Sequence, residues 1–256
     1  MLKGLFVKKI KISKISAIHF VKLACRLLLF AVACVLYIIN RIKNEDDLFG
    51  NYESLPWILG IVWIIYAIEM GLRFFPSKLE SPGCQKQFMR SFIPTENKEP
   101  VLQSPWRTFS VAAAWLLLNG IFGVLYFTHV IDKGILILIS LLFGVCDMIC
   151  ILFFCPFQTW FMKNRCCTSC RIYNWDFAMM FTPLVFVPGL YTWSLLALSL
   201  LLLLRWEITY KLHPERFSDE TNAAIRCVNC TEKLCKHKKQ IKRIIENIAS
   251  KVNKKS

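Results

Sequence analysis

Residues 135–154 read ILILISLLFGVCDMICILFF, twenty residues whose one charged side chain is Asp147. Wound as a helix, such a run rises about 30 Å, the thickness of a bilayer's hydrocarbon core. It is too long for a strand and too uniformly apolar for a surface helix. Three more blocks of the same kind are present at Phe20–Ile39, Leu55–Phe75 and Phe109–Phe127. A fifth, 177–206, is interrupted by Pro188-Gly189. A proline–glycine pair is a turn signal, so this block divides into two short spans, 177–187 and 190–206. The expected fold is an all-α integral membrane protein of six transmembrane helices, the last two forming a short hairpin. A transmembrane helical domain would cover 1–206, and a basic, cysteine-rich cytoplasmic tail 207–256.

Charge orients the spans. Six lysines lie in the first 22 residues, and Glu45 is the first acidic residue. Positive charge is retained on the cytoplasmic side, which places the N-terminus there. The 40–54 loop is acidic, through Glu45, Asp46, Asp47 and Glu53, and fits the outside. The 76–107 loop carries Lys78, Lys86, Arg90, Lys98 and Arg107 and fits the inside. Residues 156–175 and the tail are basic again. Six spans put every basic segment inside; five would export the tail. The expectation is therefore a multi-pass protein of the cell membrane with both termini cytoplasmic.

The formal net charge of +15 would point a soluble protein toward nucleic acid. Beside these spans it reads as the positive-inside bias, and the partner expected is a bilayer with an anionic inner leaflet. The basic N-terminal twenty residues have no small-residue cleavage site and lead straight into the first span. No Walker, G-x-G-x-x-G, G-x-S-x-G or H-E-x-x-H pattern occurs, and no nucleophile–base constellation supports a hydrolase. The tail ends in a charged helix from about Lys239, with Ile241, Ile244, Ile245 and Ile248 as one stripe.

Twelve cysteines is heavy usage. On the cytoplasmic side disulfides do not persist, so clustered thiols read as metal ligands or redox groups. One cluster is Cys155, Cys166, Cys167 and Cys170; the other is Cys227, Cys230, Cys235 and His237. Each contains C-x2-C, a spacing that points two sulfurs at one ion. Nearby lysines and arginines favour thiolate. The hairpin begins and ends on one face, so the two clusters are tethered near each other. One shared site through Cys167, Cys170, Cys227 and Cys230, or two separate sites, are both open. Zinc and an iron–sulfur cluster suit such ligands equally. Cys25, Cys34, Cys146 and Cys150 fall within spans and read as packing residues, with Cys146 and Cys150 on one helical face.

The run Phe154-Cys155-Pro156-Phe157, at the inner end of a span and followed by basic residues and C-x2-C, resembles membrane-bound iron–sulfur proteins of the NapH/NosR type. The resemblance covers about residues 150–171. Those proteins place C-x3-C-P at this location and pass electrons; here Cys150 makes the spacing C-x4-C-P. The resemblance implies an iron–sulfur cofactor, a redox or electron-transfer role and a membrane or redox protein partner. A non-enzymatic membrane protein whose tail is clamped by structural zinc is the alternative, and a soft-metal transporter using Cys146, Asp147 and Cys150 is a third.

Ionisable groups within spans default to functional hypotheses. Asp147 lies about 12 Å along the helix before Cys155, and Glu69 about 9 Å before Phe75. Asn119 is mid-span. Asp147 and Glu69 either pair with Arg26 or Arg73 or form a proton or cation path.

Overall fold

The structure, a computed structural model, describes residues 14–42, 56–76, 85–97, 99–164 and 169–229. The expected features of residues 1–13, the acidic loop at 43–55, residues 165–168 and the tail helix lie outside the described residues, as do Cys166, Cys167, Cys230, Cys235 and His237.

The described chain is all-helical, with no strand and one isolated bridge between Pro94 and Asn222. The long helices are α1 (Lys14–Ile42), α2 (Pro56–Phe74), α3 (Pro105–Phe127) and α4 (Lys133–Leu152). A short helix α5 (Asp176–Phe181) and the long α6 (Leu190–Leu212) complete the set. Three helices are long and apolar enough to cross a membrane: Ser16–Ile42, Pro105–Phe127 and Lys133–Leu152. Their outer faces agree. Leu28, Val32 and Val35 on α1, and Leu116, Leu117 and Val124 on α3, are all exposed. Water would not tolerate so continuous an apolar belt; lipid does.

Local sequence sets the helix ends. Asp132 caps α4 by accepting the Ile135 N–H at 2.8 Å, which satisfies one of the first-turn donors. Pro105 opens α3, where its missing N–H costs nothing. α4 stops at Leu152, ahead of Cys155-Pro156, because a proline disfavours helical backbone in the residue before it. A single π-helical turn, Phe157–Phe161, follows.

The hairpin differs from expectation in its first arm. Residues 177–187 form no single helix: α5 ends at Phe181, and a 3-10 turn takes over at Thr182–Phe186, around Pro183. Proline removes an i→i−4 bond and tightens the turn. Preceded by the 3-10 turn Arg171–Trp175, this arm is a continuous helical path of about 29 Å, only part of it α-helical. It is buried on several sides. Phe177, Met180, Phe181 and Leu184 join Tyr66, Met70, Leu136, Leu195 and Leu202 in the main core. A short helix wrapped by longer ones is apolar all round, as its sequence is.

α6 continues past residue 206 to Leu212. Beyond it, residues 213–226 fold over the 85–104 connection. Asn222, fully buried, donates to the carbonyls of Arg216 at 2.9 Å and Lys86 at 3.3 Å. Its Oδ1 accepts the Ala224 N–H at 3.1 Å. Ala223 N–H donates to Ile93 O at 2.8 Å. Below this cover, Asn174 donates to Gln87 Oε1 at 2.8 Å, both side chains buried.

Candidate functional site

The polar interior is built by four helices. Arg26 projects from α1 with a side chain 6% exposed. Its Nη2 donates to Glu69 Oε2 of α2 at 2.7 Å, and its Nη1 to Asp147 Oδ2 of α4 at 3.0 Å. The same Nη1 reaches the Gly144 carbonyl at 2.9 Å, and the guanidinium lies over the Tyr66 ring at 5.6 Å. Lys22 approaches the other oxygen of Glu69 at 3.4 Å. One turn further along α2, Arg73 places Nη1 2.5 Å from both carboxylate oxygens of Asp176, at the start of α5. Its guanidinium faces Phe177 at 4.7 Å and Tyr173 at 5.7 Å. Lys22, Arg26 and Arg73 thus balance Glu69, Asp147 and Asp176, three charges of each sign. A planar fork reaching two carboxylates and a carbonyl is geometry that lysine cannot supply.

Gly144 belongs to this arrangement. A Cβ built there would lie 2.8 Å from Met180 Sδ. Glycine within a helix costs ~0.5–1 kcal/mol relative to alanine, and here it admits α5 against α4. Asn119 stands apart on α3, donating to the Trp115 carbonyl at 3.0 Å.

Next to the ion network lies a cavity of about 120 Å³. Four thiols line it: Cys146 and Cys150 of α4, Cys155 just beyond the helix, and Cys170. Asp147 and Asp176 reach its wall, as do Met179 and Met180. Cys150 and Cys155 share a side-chain hydrogen bond. Cys155 Sγ also accepts the Gln158 N–H at 3.4 Å, inside the π-helical turn. Such single turns recur at functional sites. Cys170 is 4% exposed and packs with Val111, Met162 and Ile172. None of these four thiols is in a disulfide.

Of the ligands expected from the sequence, then, Cys155 and Cys170 come to one cavity. Cys227 opens a 3-10 turn, Cys227–Asn229. Among the described residues, no three of histidine, cysteine, aspartate and glutamate form a metal-ligand set. Cys146 and Cys150, read from sequence as packing, line the cavity. Their i, i+4 spacing was the available signal; what it lacked was the return of Cys155 to Cys150.

Glu207 of α6 ties that helix to the turn Arg171–Trp175. It accepts from Arg171 Nη2 at 2.6 Å and from Trp175 Nε1 at 2.7 Å. Arg171 also faces the Tyr210 ring at 4.3 Å. Burial raises the Tyr210 phenol above its usual range, and the Arg171 charge works against that rise. No family model matches the chain, and no curated protein and no solved structure matches it.

Proposed function

We propose that the chain is a six-span protein of the cell membrane, termini cytoplasmic, whose inner face carries a cysteine-rich metal or iron–sulfur centre used in electron transfer. The observation that supports this is the meeting of Cys155 and Cys170 at one cavity, with Cys150 hydrogen-bonded to Cys155. Asn164 Nδ2 donates to Ser169 Oγ at 3.3 Å, on the described residues that flank 165–168. Cys167 precedes Cys170 by three residues in the sequence. Cys155, Cys166, Cys167 and Cys170 would supply one thiolate set. Cys227, Cys230, Cys235 and His237 would complete it or form a second. A bound cluster would supply one-electron chemistry. The chain's own residues would exclude water, through the apolar cavity wall, and hold the cluster near a redox partner.

A second reading has its own observation. Residues 213–226 already fasten to the 85–104 connection through Asn222. A structural zinc in the tail would extend that clamp without any redox step.

Metal analysis and a visible spectrum of protein purified without oxygen test both readings. Stoichiometric iron with absorption that bleaches on reduction supports the first. Stoichiometric zinc without colour supports the second. Protein free of metal overturns both.

A further inference from the structure

A second cavity, of about 570 Å³, opens between the start of α3, the turn at Lys163-Asn164 and the end of α6. Arg107, Lys163 and Arg171 line it, with Asp219 as the acidic residue of the wall. Arg171 is committed to Glu207. Arg107 and Lys163 have no carboxylate partner among the described residues; Arg107 donates from Nη1 to the Met162 carbonyl at 3.2 Å. Lys163 sits in left-handed backbone, φ 48°, unusual for a lysine.

Two further features bear on the same spot. The first turn of α3 has no acidic residue and no side-chain cap. Its N-terminal peptide dipoles therefore add positive potential beside Arg107. Next to it, Trp106 and Phe109 are 72% and 59% exposed and stack at 5.4 Å. Exposed aromatic rings at the end of a spanning helix mark headgroup depth. The rest of the wall mixes Ser169 and Gln103 with Leu102 and Phe217. That mixture suits a ligand with an anionic, hydrogen-bonding end and an apolar attachment.

We propose that this cavity binds a phosphate group, with Arg107 and Lys163 as its two cationic contacts. The phosphate belongs either to an anionic phospholipid headgroup or to a free phosphate ester; the recognition chemistry is the same. The inference requires that the start of α3 lies at a membrane surface. It does not require the thiol centre, so metal-free protein leaves it standing.

The test uses the full chain in nanodiscs, with thermal unfolding followed by tryptophan fluorescence. One arm compares phosphatidylcholine discs with discs that also contain phosphatidylglycerol. The other adds inorganic phosphate or glycerol 3-phosphate to phosphatidylcholine discs. A rise in midpoint that Arg107→Gln and Lys163→Gln each largely abolish supports the proposal, and the arm in which it occurs identifies the source. Arg90→Gln, an exposed cation outside the cavity, should keep the full rise. Should Arg107→Gln fail to fold, Lys163→Gln decides alone. No rise in either arm overturns the proposal. So does a rise that both variants retain, or one that Arg90→Gln loses equally.

Discussion

Arg26 and Asp147 meet at 3.0 Å although 121 residues separate them in the chain. Their contact joins α1 to α4, and Glu69 is drawn into it from α2. Removing one member of a buried charge group leaves the others unpaired, which costs more than the group itself contributes. Arg26→Met should therefore lower stability by about 3–5 kcal/mol. Unfolding in detergent with increasing denaturant measures this. The triple variant Arg26→Met, Glu69→Gln, Asp147→Asn should recover part of the loss. A single variant as stable as the parent would remove the network from any structural role.

The close approach at Gly144 gives a packing prediction. Gly144→Val places methyl groups where Met180 Sδ lies, 2.8 Å from the Cβ position. Overpacking of this kind costs about 1–3 kcal/mol. Adding Met180→Ala should restore part of that loss. If the pair is no better than Gly144→Val alone, the collision is not what destabilises the helix.

Topology is open to direct measurement. Reporter fusions after Asp46 and after Gly189 should report outside. Fusions after Lys98, after Asn174 and at Ser256 should report inside. An external Ser256 would break the six-span arrangement and with it the cytoplasmic reading of the thiols.

Thiol reactivity should be graded by position. Cys170 is almost wholly buried, whereas Cys146 of α4 is exposed. A membrane-permeant maleimide should label Cys146 in folded protein and reach Cys170 only on unfolding. Variants that keep one of the two at a time separate the signals by mass spectrometry. Equal labelling rates would contradict the packing around Cys170.

Metal content distinguishes one site from two. If Cys170 and Cys230 share a centre, Cys170→Ser and Cys230→Ser should lower bound metal to the same extent. The double variant should then be no worse than either single one. Additive partial losses mean one centre in each cluster.

The sequence carried the long helices well because their signal is length and composition. Expected spans at 20–39, 55–75, 109–127 and 135–154 overlap α1 to α4 with small shifts at the ends. The first arm of the hairpin was harder. Its apolar residues suit a spanning helix and a buried core element equally, and Pro183 turns part of it into 3-10 helix. Glu69 and Asp147 were visible as charges within apolar runs, with Arg26 or Arg73 as possible partners or a proton or cation path as the alternative. That one guanidinium would serve both depends on packing across three helices, which spacing does not encode. The Cys150–Cys155 hydrogen bond depends on the chain leaving helix at Leu152, a consequence of Pro156 rather than of any cysteine motif. Asn222 and Gln87 gave no signal, since a buried amide in a connecting loop has no period.

The ion network also carries an order of events. During synthesis Arg26 emerges 43 residues before Glu69 and 121 before Asp147. A charged group buried without its partner costs several kcal/mol. Until Glu69 and then Asp147 follow, Arg26 has neither of the carboxylates that it meets in the folded chain. The network is closed backwards, from α4 to α1, and that interval is written in the spacing of three charged residues.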